Sequence, residues 1–169
     1  QSIEVGTANL DAASQSFKIQ FAEVPTGTVG CGGVSSWADV GASTSSEVWR
    51  FGSNAGARDG TTLTSNLLSV TDVAGTYEEA NNTTANPNAV NSGQDVEYDF
   101  SLENNTADGG STYCFRMSRT SGNALNGYNR YPVIITPPSQ FAPEKLLRHG
   151  NFFTDQGYEQ PYFWGGIYL

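Results

Sequence analysis

The chain reads as an all-β protein with an aromatic C-terminal extension. Three observations carry that expectation. Its 169 residues are rich in Ser, Thr, Asn and Gly, Lys occurs only at Lys18 and Lys145, and good helix formers never cluster at a sustained 3.6-residue period. Short alternating segments are separated by turn clusters, the pattern of half-buried strands. The last 29 residues, Phe141 to Leu169, hold eight of the 20 aromatics, although a terminus is normally the most polar part of a domain. The expected division is a β domain over 1–136 and a Pro-led extension over 137–169.

The elements follow in order. Ser2-Ile-Glu-Val-Gly is a first strand. Phe17-Lys-Ile-Gln-Phe-Ala-Glu-Val alternates cleanly, with Phe17, Ile19 and Phe21 on one face. Thr26 to Ser36 is a Gly-rich loop carrying Cys31, followed by Trp37-Ala-Asp-Val and by Glu47-Val-Trp-Arg-Phe. Arg58-Asp-Gly-Thr reads as a turn. Leu63 to Val73 is a strand or a short helical turn, and a polar excursion begins at Thr76-Tyr-Glu-Glu-Ala. Asn81 to Gly93, rich in Asn, Thr and Pro, reads as a surface loop. In Val96-Glu-Tyr-Asp-Phe-Ser-Leu one face carries Val96, Tyr98, Phe100 and Leu102, and the solvent face carries Glu97, Asp99 and Ser101. After a turn over 104–110, Thr112-Tyr-Cys-Phe-Arg-Met-Ser-Arg sets Cys114 opposite Tyr113, Phe115 and Met117. Tyr131-Pro-Val-Ile-Ile-Thr closes the domain, its Pro marking a strand start or an edge.

Composition excludes several classes of function. A net charge of −9 leaves no Lys/Arg patch for nucleic acid or for an anionic membrane surface. No apolar run approaches the roughly 18 residues of a membrane span, so no membrane insertion is expected. Gln1 opens directly into domain-like sequence, so a mature form or an excised fragment is expected. Cys31 and Cys114 lack metal-ligand spacing, and the single His149 cannot complete a zinc site. A disulfide closing about 84 residues, with a chain-entropy value of roughly 4 kcal/mol, is the economical reading. Two buried thiols in a reducing compartment are the alternative. Sequons at Asn81, Asn82 and Asn104 are candidate glycosylation sites and suit a secreted surface.

Enzyme signatures are missing. There is no Gly-x-Ser-x-Gly elbow, P-loop or dinucleotide fingerprint, and His149 sits in the extension without a triad motif. Asp95, Glu97 and Asp99 alternate like a candidate glycosidase set, but a solvated strand face explains them more simply. A non-enzyme without a cofactor is the expectation. Calcium would need six to eight oxygens and would draw on Glu78, Glu79, Asp95 and Asp108, which no EF-hand organises. Trp37, Trp49 and Trp164 are candidates for a sugar-stacking platform, with core packing the simpler role for the first two.

Tyr98-Asp-Phe-Ser-Leu and Asp108-Gly-Gly-Ser-Thr-Tyr-Cys-Phe-Arg-Met resemble the E-strand, corner and F-strand of fibronectin type III and related immunoglobulin-like sandwiches. Phe17-Lys-Ile-Gln-Phe with Trp37-Ala-Asp-Val-Gly resembles their C-strand and its following Trp. The resemblance implies an antiparallel β-sandwich with a C-terminal extension strand. It also implies a deficit, because only 16 residues precede Phe17, too few for full A and B strands. More closely, the chain is similar to β-sandwich modules of large secreted surface proteins from uncultured bacterial lineages. The shared motifs are Ser35-Ser-Trp-x-Asp-Val-Gly, Asp59-Gly-Thr-Thr-Leu, Thr112-Tyr-Cys-Phe-Arg-Met, Tyr128-x-Arg-Tyr-Pro and Leu147-Arg-His-Gly-Asn-Phe-Phe…Gln160-Pro. These imply architecture and an extracellular or cell-surface location, and bring no catalytic residues.

The functional expectation rests on where the extension is buried. It completes its own body, enters another copy, or begins a following module. A body one strand short and a tail one strand long suit donation between copies, a head-to-tail contact that propagates into a filament. Leu146, Phe152, Phe153, Tyr158, Tyr162, Phe163, Trp164 and Ile167 are the expected donor residues. Ile3, Val5, Phe17 and Ile19 are expected to line the acceptor groove. The chain is thus read as a structural subunit of an extracellular, pilus-like fibre, its partners other copies of itself. The alternative is an adhesive or spacer module of a larger surface protein, binding a glycan or a protein.

Overall fold

The structure, a computed structural model, describes residues 1–53, 58–64, 68, 72–81 and 83–138. The chain divides into Gln1–Pro137 and Pro138–Leu169, and the described strands all belong to the first unit. Among the described residues the regular structure is strand plus one 3₁₀ turn, Cys31–Gly33. The strands are β1 (Ser2–Glu4), β2 (Ser16–Glu23), β3 (Ala38–Asp39), β4 (Trp49–Phe51), β5 (Thr61–Thr62), β6 (Val73–Glu78), β7 (Thr84–Ala85), β8 (Asp95–Phe100), β9 (Leu102–Asn104), β10 (Thr112–Arg119) and β11 (Val133–Ile135).

They form three sheets. The first has the order β1-β8-β6-β5, the second β11-β10-β2-β3 with β7 also on β2, and the third is the pair β4-β9. The long alternating segments β2 and β10 pair antiparallel over seven residues, from Tyr113 opposite Glu23 to Arg119 opposite Phe17. Their apolar residues share one face, as the period of two requires. That face meets the other two sheets in two adjoining clusters. Ile19, Phe21, Tyr113 and Phe115 pack on Val40, Trp49 and Phe51, with Trp49 edge-on to Tyr113 and Phe115 at 5.5 and 5.1 Å. Phe17 and Met117 pack on Val90, Val96 and Tyr98.

One pairing departs from the antiparallel expectation: β6 and β8 run parallel. After Glu78 the chain leaves the first sheet, lays β7 against Ser16 and Phe17 of β2, and returns in its original direction as β8. The ladder slips between Ala74 and Tyr77, where Gly75 lies so close to β8 that an added Cβ would meet the Glu97 carbonyl oxygen at 2.1 Å. A residue without a side chain is needed there.

Four further expectations are corrected. The polar excursion from Thr76 is part of β6, with Thr76, Tyr77 and Glu78 buried. The presumed surface loop 81–93 holds β7 and buries Thr84, Asn86 and Val90. These segments lack an apolar period because polar groups satisfy one another inside. The Thr76 and Thr84 hydroxyls bond at 2.6 Å, and the Asn86 amide donates to the carbonyls of Asp11 and Asn88. Glu97, assigned to solvent, is fully buried and accepts a bond from the Leu68 amide at 3.1 Å. The single strand expected over 96–102 divides at Ser101, so that Leu102 belongs to β9 and pairs with Phe51.

Candidate functional site

A groove of about 1120 Å³ opens beside β1, between that strand and the segment 125–132. Its floor comes from β2 and its apolar wall from residues that only half-cover the second cluster. Phe17 is buried, whereas Ile3, Val5, Leu10 and Leu125 pack on it while still partly exposed. Alternation explains the open side. The Gln1 carbonyl accepts from the Tyr98 amide at 2.8 Å, and Val5 bonds Gln94 and Gly93 at 2.9 and 2.7 Å. Odd-numbered residues therefore face β8, and the main-chain groups of Ser2 and Glu4 point the other way. Among the described residues no strand pairs with that edge.

The opposite wall is held in place. The Leu125 amide donates to the Tyr128 hydroxyl at 3.0 Å, and that hydroxyl donates to the Met117 carbonyl. Tyr131 stacks on Tyr128 at 5.2 Å and on Trp37 at 5.7 Å. The Arg116 guanidinium lies 4.3 Å from the centre of the Trp37 ring and donates twice to Gln20 Oε1, at 3.0 and 2.8 Å. Gln20 in turn donates to Asp39, which also pairs with Lys18 at 2.8 Å. Burial alone would raise the Asp39 carboxyl, but the bonds from Lys18 and Gln20 outweigh it and hold Asp39 below its ordinary value. This belt, together with the Cys31–Cys114 disulfide, fastens two loops to the sheet's other face.

Of the expected groove residues, the structure brings Ile3, Val5 and Phe17 to one wall and places Ile19 elsewhere. Ile19 shares a face with Phe17 but sits two positions along β2, roughly 7 Å away, and is buried in the first cluster. Leu10, Leu125, Tyr128, Arg119 and Arg130 also line the groove and were missed. Leu10, Leu125, Tyr128 and Arg130 lie in stretches without periodicity, where only the Tyr128-x-Arg-Tyr-Pro motif pointed towards any of them, and Arg119 ends the alternating strand β10 with nothing in the pattern to mark a groove. The donor positions Leu146, Phe152, Phe153, Tyr158, Tyr162, Phe163, Trp164 and Ile167 lie outside the described residues, as does His149.

The remaining candidates are dispersed. Trp49 is core and Trp37 belongs to the belt; Trp164 lies outside the described residues. Asn81 and Asn104 are exposed, Asn81 donating to Asp59 at 3.3 Å and Asn104 accepting from the Ala107 amide at 2.8 Å. Asn82 lies outside the described residues. Glu78 and Glu79 sit at the end of β6, Asp95 at the start of β8 and Asp108 before β10. Among the described residues no group of three His, Cys, Asp or Glu gathers as a metal site, and no helix is long and apolar enough to cross a membrane. The three carboxylates of β8 differ: Glu97 is enclosed, Asp95 and Asp99 are half-exposed, and burial followed by the neighbouring Glu97 raises the Asp99 carboxyl. What the arrangement offers chemically is a groove with an apolar patch, polar and charged side chains around it, and the main-chain groups of Ser2 and Glu4 along one side. No family model, curated protein or solved structure matches the chain.

Proposed function

We propose that the chain is a structural subunit of an extracellular, pilus-like filament, with an immunoglobulin-like β-sandwich body that accepts a strand donated by the 141–169 tail of another copy. One observation carries this reading. The second cluster is left half-covered by Ile3, Val5, Leu10 and Leu125, directly beside the edge of β1 that no strand pairs with among the described residues. A strand laid there would meet the main-chain groups of Ser2 and Glu4 and bury those four side chains, as added strands do. The tail supplies the matching apolar material, ending Tyr-Phe-Trp-Gly-Gly-Ile-Tyr-Leu. The disulfide suits an oxidising exterior.

Electron microscopy and light scattering of the purified chain test the reading. Filaments are expected from the full chain, and a soluble, less stable monomer from a chain ending at Thr136. Fibres formed by the shortened chain would rule out donation by the tail. A monomeric full chain that binds a glycan array would instead favour an adhesive module.

A further inference from the structure

The groove has a charge pattern unlike the rest of this acidic chain. Six cationic side chains fall among the described residues: Lys18, Arg50, Arg58, Arg116, Arg119 and Arg130. Lys18 is paired with Asp39 and Arg50 with Glu103, and Arg116 is held by Gln20 and the aromatic belt. Arg58, Arg119 and Arg130 are exposed and have no ion pair among the described residues; of the three, Arg119 and Arg130 line the groove. They stand on the β10 and loop side. The acidic Glu4 and Asp95, register partners across β1 and β8, stand on the other. In a chain of net charge −9, two arginines without an ion pair among the described residues, on one lip of a largely apolar groove, form a recognition element for carboxylates.

We infer that Arg119 and Arg130 select an acidic occupant: the segment Phe152-Phe-Thr-Asp-Gln-Gly-Tyr-Glu159 of a second copy. This rests on the strand-donation reading and adds what the groove recognises. The segment combines the two required properties. In an extended strand Phe152, Thr154, Gln156 and Tyr158 fall on one side, with an aromatic at each end, and Phe153, Asp155 and Glu159 on the other. The first side suits Ile3, Val5 and Leu125, and the second supplies the two carboxylates.

The test is a labelled synthetic peptide of residues 150–161 titrated into the full chain by fluorescence anisotropy, with filament formation followed in parallel. Saturable binding that weakens between about 0.05 and 0.5 M salt is expected. The Arg119→Glu/Arg130→Glu chain should bind at least about tenfold more weakly. A peptide carrying Asp155→Arg and Glu159→Arg should recover most of that loss on the charge-reversed chain while binding the unaltered chain poorly. A merely structural role for the arginines would not produce that exchange of preference, and an unchanged urea midpoint confirms that the variant is folded. Equal binding of both peptides by both chains overturns the charge recognition and leaves strand donation standing. Absence of peptide binding overturns the inference, and absence of filaments as well overturns the function proposed above. Salt-sensitive binding without filaments keeps the site and removes only the polymer.

Discussion

The two halves of the core are built from the same strands and finished differently. Around Trp49 and Phe51 the inward face of β2 and β10 is closed by the β4-β9 pair. Seven buried residues fit there, Phe51 having no exposed surface. Around Phe17 and Tyr98 that face meets β8 and the Leu10–Val90 bridge, and the rim is half-exposed. Polar groups also enter the second half: Thr76, Glu78, Thr84 and Asn86 are all buried beside it. The first end has a partly exposed rim of its own, at Val48, Phe100, Leu102 and Ala107, but it buries only apolar side chains and suits an anchor. The second, with a polar interior and the groove beside it, suits a place where something is added.

Three substitutions test this contrast. The largest effect is expected from Phe51→Ala, a fully buried side chain of the first cluster, about 3–5 kcal/mol by urea denaturation. A loss near 1 kcal/mol would mean that this end is as open as the other. Ile3→Ala at the rim should cost only about 1 kcal/mol in the monomer, since the side chain is already half-exposed, while impairing filament growth. A loss matching that of Phe51 would show that the groove is already covered in solution.

The smallest effect concerns Glu78. Burial, opposed by hydrogen bonds from Thr76 and Thr84 and reinforced by Asp59, lifts its carboxyl above the ordinary value of 4.5. The native state then holds the proton more tightly than the unfolded chain. Its contribution is whole below that ordinary value and declines as pH rises through the raised one. Glu78→Gln should remove the decline, so that urea midpoints measured from about pH 4 to pH 7 favour the variant increasingly at the upper end. A difference independent of pH would place this carboxyl in contact with water.

The same contrast explains what could be read in advance. The inward faces of β2 and β10 were legible because aromatic and polar residues alternate there, and alternation reports a difference in exposure; the cysteine pair was legible from its number and from the lack of metal-ligand spacing. β6 and β7 were not, since Thr76, Glu78 and Thr84 enter the interior as mutually bonded polar groups, beside a glycine pressed against β8, and imitate a loop. Glu97 was misassigned for a related reason: alternation tells which side of a strand a residue takes, not whether another segment covers that side. Of the groove, Ile3, Val5 and Phe17 were legible as strand residues. Arg119 and Arg130 acquire meaning only once the fold brings the end of β10 and the 125–132 segment to the lip opposite Glu4.

The Cys31–Cys114 link has a mechanical consequence. A chain pulled from its two ends transmits load through the bond, which spans 83 positions of sequence and takes the intervening residues out of the force path. At about 3.4 Å per residue, some 280 Å of slack stays locked even when every strand has come apart. Reduction would release that length, so single-molecule stretching with and without reductant should give two contour lengths from the same protein. A chain wired this way yields a little under tension and then stops.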